Sequence, residues 1–348
     1  MKYEAITIKD IAKALNLSVS TVSKALRGSH EISTETKNAV SEYAKLHNYR
    51  PNPIAQSLKR GHSKSIGVIV CNIDNNFFSQ VINGIESIAQ NKDYNVIITQ
   101  SKESYEREVS QCEHLSSRSV DGLIISLSAE TRNVDHLTKL HERGLPIVLF
   151  DRVTDEIITH KVIANNYKGA YEATRHLIQQ GFKRIAHITS SDSLSNTLER
   201  MEGYKQALVD AGRAPDEQYI KFCQHGGMIR EEAIQALKEL LESPDRPDAI
   251  FTASDRLSTT TLSLLHDMKI KIPEEIALVG YTNSISADIF NPALTAVVQP
   301  ALEMGKLATE MLIQLIESKR PVTQFENIVL ETELKIRDSS RKAGITQF

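Results

Sequence analysis

From Ser65 onward, short apolar runs alternate with longer amphipathic stretches. Runs of this kind match buried β-strands, and the stretches between them match helices that connect one parallel strand to the next. The alternation therefore predicts two doubly wound α/β halves. The predicted strands are Ile66–Cys71, Asn95–Thr99, Gly122–Ser126, Ile147–Phe150, Val162–Ala164, Ile185–Thr189, Ala249–Thr252 and Ala277–Tyr281, and the predicted helices include Phe78–Asn91, Tyr167–Gln180 and Ile229–Leu241.

The first 62 residues differ in charge from the rest of the chain. Met1–His62 holds 10 Lys and Arg against 5 Asp and Glu, a net charge of +5, whereas the whole chain carries −3. A basic segment on an acidic body suggests a polyanionic partner. Solvated helix surfaces also carry lysines, so the charge alone does not decide the function.

The basic segment also has a helical pattern. Thr7 followed by Asp10 resembles a capping box, which begins a first helix. Asn16 suits the left-handed backbone of a tight turn, and Ser18 can cap a second helix that runs to about Arg27. A third helix begins at Ser33. The apolar residues that would join the three helices are Ile8, Ile11, Ala12, Leu15, Val22, Ala25, Leu26, Ala39, Val40, Tyr43 and Ala44.

The second predicted helix has an outward face formed by Val19, Ser20, Thr21, Ser23 and Lys24. Hydroxyls and short side chains suit contacts with phosphates and base edges in a DNA major groove. The whole pattern predicts a helix-turn-helix, because two short helices must cross closely at a steep angle. A small helical bundle used for oligomerisation is the alternative, and the hydroxyl-rich face argues against it.

Polar and aromatic residues follow the predicted strands. Ligands of doubly wound folds bind beyond the carboxyl ends of the strands. Carboxylates and amides bond to hydroxyls, and aromatic faces stack on sugar rings, so we expect a carbohydrate-like effector. Each residue could instead be a helix cap. The residues concerned are Asn75, Phe77, Phe78, Ser126, Ser128, Asp151, Arg152, Asn165, Asn166, Ser190–Asp192, Ser254, Asp255, Thr282 and Asn283.

Other function classes find little support in the sequence. GxSxG, HExxH, P-loop and GxGxxG motifs are absent, so we expect neither an enzyme nor a bound cofactor. Cys71, Cys112 and Cys223 are widely spaced, which predicts buried thiols rather than disulfides or a zinc site. The charged start and the short apolar runs predict a cytoplasmic protein without membrane spans. A sugar-binding module without DNA function would need a signal peptide and no headpiece.

The chain resembles the LacI/GalR family of bacterial repressors. The match runs continuously from TIKDIAKALNLSVSTVSKAL through YRPNPIAQSLKRGHSKSIGVIV. The resemblance implies that Val19, Ser20 and Lys24 contact bases, that Thr21 and Ser23 lie nearer phosphates, and that Thr7 and Ser18 also belong to the DNA-binding set. It further implies a homodimer that binds double-stranded operator DNA.

The resemblance also identifies Asn52–Arg60 as a hinge helix that becomes ordered on operator DNA. In the family a leucine of this helix enters the minor groove, and here that residue is Leu58. An apolar wedge separates a base step and bends the duplex. Asn52, Ala55 and Lys59 complete the expected contacts. An ordinary buried linker leucine is the alternative for Leu58.

The body of the chain looks like the periplasmic sugar-binding fold. By position, the family's pocket residues correspond to Phe77, Phe78, Asp151, Arg200 and Asp255, and Asn75, Asn165 and Thr282 complete the predicted effector site. The segment Pro292–Pro300 matches the family's return crossover between the halves. Thr282 and Asn165 stand where the family usually has aspartates, which suggests a less acidic pocket.

Together these patterns predict an N-terminal all-α helix-turn-helix headpiece joined to an α/β periplasmic-binding-protein-like core of two doubly wound subdomains. The expected function is a DNA-binding repressor that a small effector controls. The predicted limits are 1–48 for the DNA-binding domain, 49–62 for the hinge helix and linker, 63–348 for the effector-binding and dimerisation core, about 63–164 with 293–324 for its N-subdomain, and about 165–292 with 325–340 for its C-subdomain.

Overall fold

The structure is a computed structural model that describes residues 6–49 and 62–342. The chain divides into two compact units between Ser63 and Lys64, and each unit is described by itself. In its described part, the smaller unit contains the helices α1 (Ile8–Ala14), α2 (Val19–Leu26) and α3 (Thr34–Leu46).

Side-chain caps define where these three helices begin. The Thr7 hydroxyl accepts from the Asp10 backbone N–H at 3.3 Å, and the Asp10 carboxylate accepts from the Thr7 N–H at 2.9 Å, so the predicted capping box is confirmed. Ser18 and Ser33 cap α2 and α3 in the same way, through their hydroxyls. Asn16 has a φ of 49°, the left-handed conformation predicted for the turn.

The core of the smaller unit is built from three fully buried side chains, Ile11, Val22 and Val40, one from each helix. Ala12, Ala25 and Ala44 fill the remaining space, and their small size lets short helices approach closely. Ala39 was expected in this core, and that prediction is wrong because the residue is exposed. Position 39 lies about 100° around α3 from Val40, which turns its side chain toward solvent.

The larger unit has alternating strands and helices. Its strands are β1 Ser65–Val70, β2 Asn95–Gln100, β3 Gly122–Ile125, β4 Ile147–Phe150, β5 His160–Ala164, β6 Ile185–Thr189, β7 Ile220–Phe222, β8 Ala249–Thr252, β9 Ala277–Tyr281, β10 Thr295–Val298, β11 Asn327–Leu330 and β12 Glu333–Lys335. Its helices are α4 Asn76–Asn91, α5 Tyr105–Ser117, α6 Asp135–Glu142, α7 Asn166–Gln179, α8 Ser195–Asp210, α9 Arg230–Glu242, α10 Asp255–Asp267 and α11 Ala301–Glu317.

These strands form two six-stranded sheets. The first has the order β11-β5-β4-β3-β1-β2, and we call this sheet with its helices the first lobe. The second has the order β12-β10-β9-β8-β6-β7 and defines the second lobe. All pairings are parallel except the antiparallel pair of β10 and β12. The predicted doubly wound α/β fold is confirmed, and long buried strands such as β1 form the centre of each sheet.

The chain passes between the lobes three times, and the passages differ from the predicted subdomain limits. The first falls between β5 and α7, the second between β10 and α11, and the third between β11 and β12. Pro292–Pro300 was interpreted as a crossover, but it contains β10, which pairs with β9 before the chain leaves the second lobe. Asn327–Leu330 lies in the first lobe rather than the second, because β11 pairs with β5.

Close helix packing in the first lobe depends on two glycines. A Cβ on Gly84 of α4 would lie 2.1 Å from the Leu302 carbonyl oxygen, and one on Gly305 of α11 would lie 2.1 Å from the Val81 carbonyl oxygen. Contacts of this length are forbidden between non-bonded atoms. The two helices can therefore touch backbone to backbone only because both positions lack a side chain.

The three cysteines all lie in the described part of the chain. Cys71, Cys112 and Cys223 are free and buried, as predicted. Burial raises the pKa of each thiol, which keeps it neutral. Within residues 6–49 and 62–342, no helix is long and apolar enough to cross a membrane, and no cluster of His, Cys, Asp and Glu side chains is arranged to hold a metal ion.

Candidate functional site

One face of α2 presents the side chains that were expected to contact DNA. Val19 is 43% exposed although it is apolar, and Ser20 beside it is also exposed. Thr21, Ser23 and Lys24 are partly exposed, whereas Val22 and Ala25 on the opposite face are buried. The structure thus brings the five predicted residues together on the solvent side of a short capped helix.

Thr7 and Ser18, also expected in the DNA-binding set, have structural roles. Each hydroxyl caps a helix, and the Ser18 Oγ is also 2.8 Å from Thr21 Oγ1. Both residues therefore position the helices whatever else they contact. Asn52, Ala55, Leu58 and Lys59 lie outside the described residues, so their predicted roles remain predictions.

Lys24 forms an ion pair with Glu31, which lies in the loop between α2 and α3. The hydrogen bond from Lys24 lowers the pKa of Glu31 below its ordinary value. The sequence analysis did not identify Glu31, because a loop carboxylate seven positions away has no periodic relation to Lys24. Both side chains are substantially exposed, so water or a DNA phosphate can replace this pairing at little cost.

Two of the predicted effector-binding residues act as helix caps. The Asn75 side chain accepts from the Phe77 N–H at 2.8 Å and begins α4. Asn165 accepts from the Lys168 N–H at 3.1 Å and begins α7, and its amide donates to Glu331 at 3.1 Å. Asn165 and Glu331 lie on two of the passages between the lobes. The contacts of Asn165 therefore join these passages, and none of them requires a ligand.

Phe77 and Phe78 were expected to offer aromatic faces to a sugar, but the structure buries both. They are 4% and 3% exposed, and their rings meet edge to face with centroids 5.2 Å apart. Phe78 also meets Phe150 edge to face at 6.1 Å. Both rings belong to the core of the first lobe, so neither has an open face on which a sugar ring could stack.

Asp151 and Arg200 lie in a buried polar cluster between the lobes. Asp151 follows β4 with a φ of 59°, is 5% exposed, and accepts from Asn196 Nδ2 at 3.4 Å. Burial raises the pKa of Asp151, although the guanidinium groups of Arg152 and Arg200 oppose the shift. A ligand hydroxyl that donates a hydrogen bond to the ionised Asp151 carboxylate would stabilise that charged form.

Arg200 is fixed in place by the second lobe. Its Nε and Nη2 donate to the Asn166 side-chain oxygen at 2.9 and 2.7 Å, and its guanidinium lies over the Tyr281 ring at 3.9 Å from the centroid. Planar guanidinium groups suit such combined hydrogen bonding and stacking. Arg200 is therefore a rigid, buried cation close enough to Asp151 to act on its pKa.

Asp255 and Thr282 contact each other directly. The Thr282 hydroxyl donates to the Asp255 carboxylate, and the Ser284 N–H donates to the Thr282 hydroxyl at 3.0 Å. An aspartate at position 282 would place two carboxylates in contact, which raises the pKa of one of them. Threonine turns this contact into a donor–acceptor pair, which agrees with the less acidic pocket expected from the sequence.

Polar contacts also join the two lobes around the cleft. Arg256 donates to Asp74 at 2.6 Å. Gln80 and Asn283 exchange two hydrogen bonds, from Gln80 Nε2 to the Asn283 carbonyl at 3.0 Å and from Asn283 Nδ2 to Gln80 Oε1 at 2.9 Å. The described lobes are therefore held together by directional bonds that an opening motion would have to break.

The sequence analysis missed some polar residues of the cleft. Asn196 contacts Asp151 and lies four positions before Arg200 on α8, so helical spacing from Arg200 would have identified it. Gln299 accepts from Asn283 through its backbone carbonyl at 2.8 Å and follows β10, a strand that the sequence did not predict. Gln299 lies in Pro292–Pro300, which the sequence analysis interpreted as a crossover between the halves and not as a strand followed by a polar residue.

Two family profiles match the chain. The profile of bacterial regulatory proteins of the lacI family matches residues 7–52. The profile of periplasmic binding proteins and the sugar-binding domain of the LacI family matches residues 63–338. Together they span the described headpiece and nearly all of the two lobes.

Full-length relatives and a solved structure are similar over the same range. The HTH-type transcriptional repressor PurR of Vibrio atlanticus is 32% identical over 313 residues, which cover 90% of this chain and 92% of that protein. The ribose operon repressor of Haemophilus influenzae is 32% identical over 336 residues, covering 96% and 98%. The structure of the transcriptional regulator CelR in complex with cellobiose has a TM-score of 0.70 at 27% identity, covering 96% and 99%.

Proposed function

The chain belongs to the LacI family of bacterial regulatory proteins, and on this premise we propose that it is a sequence-specific transcriptional repressor controlled by a small effector. The effector is a sugar or sugar derivative that binds between the lobes. The protein acts as a cytoplasmic homodimer and has no enzymatic activity. One observation carries the proposal: a single chain combines the exposed, hydroxyl-rich face of α2 with a buried polar cluster around Asp151 and Arg200.

In this proposal α2 enters the major groove of operator DNA. Val19, Ser20 and Lys24 contact base edges, while Thr21 and Ser23 approach the phosphates. Lys24 must exchange its bond to Glu31 for one to DNA. Because an exposed ion pair contributes little to stability, this exchange favours DNA whenever the correct bases face Lys24.

Residues 49–62 connect the DNA-binding domain, residues 1–48, to the effector-binding core. We assign Asn52–Arg60 as a hinge helix, with Leu58 as a minor-groove wedge and Asn52, Ala55 and Lys59 as its neighbours at the DNA. A wedge of this kind bends the duplex and adds contacts that non-cognate DNA does not provide.

The chemistry of the cleft supports a polyhydroxylated effector. Asp151, Asp255 and Thr282 supply acceptors and a hydroxyl, and Arg200 supplies a fixed cation. Groups of this kind bind sugar hydroxyls through directional hydrogen bonds. A relative named for a ribose operon and a neighbour bound to cellobiose support the same ligand class.

Effector binding controls DNA binding by changing the position of one lobe relative to the other. A two-fold symmetric dimer presents two headpieces to two half-sites of DNA, and the first lobes determine the distance between the hinge segments. An effector that changes how the lobes meet therefore changes operator affinity. By linkage, operator DNA must change effector affinity by the same factor.

The experiment that tests this function starts from DNA selection. The intact protein is used to select sites from random duplexes, and the enriched sequence is measured against a scrambled duplex at fixed salt. We expect a two-fold symmetric site and a specific affinity at least about 1,000-fold tighter than the nonspecific one. Equal binding to both duplexes would contradict the proposal.

Variants in α2 make this test residue-specific. Ser20→Ala and Lys24→Ala should each weaken binding to the selected site by about 1–3 kcal/mol and relax specificity at one base pair. Lys45→Ala is the matched control, because Lys45 is an exposed lysine in the last turn of α3, outside the predicted set. If Lys45→Ala and Lys24→Ala lose the same affinity for both duplexes, α2 does not contact bases.

A further inference from the structure

Arg152 lies between two buried carboxylates of the first lobe, Glu103 and Asp151. The three residues are 9%, 7% and 5% exposed. Arg152 Nη1 donates to Glu103 at 2.6 Å, and Arg152 Nε faces the Asp151 carboxylate at 3.9 Å. This Nε has no hydrogen-bond partner in the described part of the chain, so Arg152 acts on Asp151 through its charge. One guanidinium is thus shared between two carboxylates.

Glu103 anchors the guanidinium of Arg152. The Glu103 oxygen that accepts from Nη1 also accepts from the Ala129 N–H at 2.9 Å. Nη1 donates in addition to the Leu127 carbonyl at 3.3 Å, and Cys71 Sγ lies 3.1 Å away from it. All of these partners belong to the first lobe, so the position of Arg152 does not depend on how the lobes meet.

Both carboxylates project from left-handed backbone. Glu103 has a φ of 62°, Lys102 before it has a φ of 54°, and Asp151 has a φ of 59°. Residues with a Cβ rarely adopt this conformation, and it persists only where the surrounding structure enforces it. The strained residues therefore include the two that carry the carboxylates on either side of Arg152.

Asp151 depends on Arg152 more than on any other cation. Burial raises the pKa of Asp151, and the charge of Arg152 opposes this rise most, followed by that of Arg200. Arg200 belongs to the second lobe, where the Asn166 side chain holds it, so its distance from Asp151 changes when the lobes move apart. Arg152 is the chain neighbour of Asp151 and stays beside it in every arrangement of the lobes.

The other titratable groups near Asp151 do not replace Arg152. Cys71 is neutral, because burial raises the pKa of its thiol well above the ordinary value. Glu108 lies 3.1 Å from His136 Nε2 and accepts from two donors of the loop after β3, so its charge has partners of its own. The charged and titratable groups around Asp151 are Arg152, Cys71 after β1, Glu103 after β2, Glu108 on α5 and Arg200 on α8.

We propose that Arg152 is a positioning residue of the effector site: its guanidinium, anchored on Glu103, orients the Asp151 carboxylate and compensates its negative charge. Arg152 acts through Asp151, which then accepts hydrogen bonds from effector hydroxyls as a carboxylate rather than as a neutral acid. This inference rests on the proposed effector site. It adds a residue buried behind that site to those that determine effector binding.

The test follows the carboxyl group of Asp151 by NMR in the intact protein, labelled with carbon-13 at its aspartate carboxyl groups. Asp151→Asn identifies the signal. Spectra are recorded between about pH 5 and 8, where folded proteins are generally most stable. Neither effector nor DNA is present, so the result does not depend on knowing either.

Two variants isolate the effect of Arg152. Glu103→Gln gives Asp151 sole use of the guanidinium, so Asp151 should titrate no higher than in the wild-type protein. The double variant Glu103→Gln with Arg152→Gln leaves no unpaired carboxylate at position 103, and in it Asp151 should titrate at least about one pH unit higher than in Glu103→Gln. A purely structural ion pair would shift Asp151 in the same direction in both. Identical Asp151 signals in the two variants overturn the proposal.

A conservative substitution and a surface arginine complete the test. In the Glu103→Gln background, Arg152→Lys keeps the charge but loses the planar fork, so Asp151 should titrate closer to Glu103→Gln than to the double glutamine variant. Arg143→Gln is the matched control, since Arg143 is an exposed arginine of the first lobe. It should leave the titration of Asp151 unchanged. A shift in Arg143→Gln as large as that in the double glutamine variant would also overturn the proposal.

The same protein preparations are tested for binding to the selected DNA. Sequence-specific DNA binding without the expected difference in Asp151 titration would remove the role of Arg152 and leave the proposed repressor function intact. Loss of specific DNA binding in the wild-type protein would instead contradict the repressor function.

Discussion

His187 is fully buried in the second lobe, where its ring stacks between Tyr204 and Phe251 with centroids 5.0 and 4.8 Å away. Its Nδ1 lies 3.2 Å from the Phe251 carbonyl oxygen. Burial lowers the pKa of His187 to about 3, against an ordinary value of 6.5. The folded protein therefore keeps this imidazole neutral at pH values where the unfolded chain protonates it.

The sign of the resulting pH dependence follows from linkage. Stabilisation by neutral His187 is complete above pH 6.5 and is lost as the pH falls from 6.5 toward about 3. We predict that His187→Phe, which retains the stacking, reduces the pH slope of the unfolding free energy in this window by up to about 1.4 kcal/mol per pH unit. Urea unfolding at several pH values measures the slope.

A surface histidine provides the control for this prediction. His30 is exposed in the headpiece, and His30→Gln should leave the acid-side slope of the larger unit unchanged. If His187→Phe retains the wild-type slope, burial of His187 is not the source of the acid sensitivity.

At the scale of elements, the contact between α4 and α11 gives the sharpest prediction. Gly305→Ala forces a methyl group against the Val81 carbonyl, so the helices must separate. We expect a loss of about 1–3 kcal/mol in the unfolding free energy, as for other overpacked interiors. Chemical denaturation measures the change.

Glu310→Ala is the control on the same helix, because Glu310 is exposed and its replacement favours helix formation. Its effect should remain within about 0.5 kcal/mol. A wild-type stability for Gly305→Ala would show that α4 and α11 can move apart without cost.

The sequence predicted every central strand except β10, and it missed three of the four edge strands. β4 and β9 are apolar throughout and buried, so their runs stand out from the helices around them. β7, β11 and β12 have three or four residues each. The positions of β11 and β12 alternate between exposed and partly buried, and β7 runs from buried Ile220 to exposed Phe222. Their pairing partners lie far away in the chain, and local patterns cannot specify such contacts.

The candidate site was predictable to a similar extent. Polar residues after strands, such as Asp151, were found because the carboxyl ends of parallel strands share one edge of a sheet. Burial of Phe77 and Phe78 depends on how α4 packs against the sheet, which the sequence does not specify.

At the scale of the whole molecule, the proposed dimer gives a direct prediction. β2 is an edge strand of the first lobe, and Ile98 on it is 37% exposed. Edge strands with exposed apolar residues are prone to pair with another chain. Ile98→Asp should shift the protein toward monomer in sedimentation velocity and weaken binding to the selected DNA at least about tenfold, because each half-site then binds one headpiece alone.

Ile158→Asp is the matched control for this prediction, since Ile158 is 74% exposed in the loop before β5. It should sediment as the wild-type protein does. If the Ile98→Asp variant remains a dimer, this part of β2 does not belong to the interface between subunits.

The contact between Gln80 and Asn283 predicts how readily the lobes separate. Gln80→Ala removes two hydrogen bonds between the lobes, each with a net contribution of about 1 kcal/mol. We expect backbone amides of residues 281–284 to exchange hydrogen about tenfold faster or more. Gln90→Ala, an exposed glutamine on the same helix, should leave these rates unchanged. Identical rates in both variants would show that other contacts hold the lobes together.

The third passage between the lobes affects how the protein is made. β11 and β12 are separated by two residues, yet one completes the first sheet and the other completes the second. A ribosome must therefore translate beyond Leu330 before the first sheet has all its strands, and beyond Lys335 before the second sheet does. The headpiece, whose described helices end at Leu46, has no such requirement and can fold while translation continues. During each round of synthesis, the unit that binds DNA can thus form before the unit that responds to the effector.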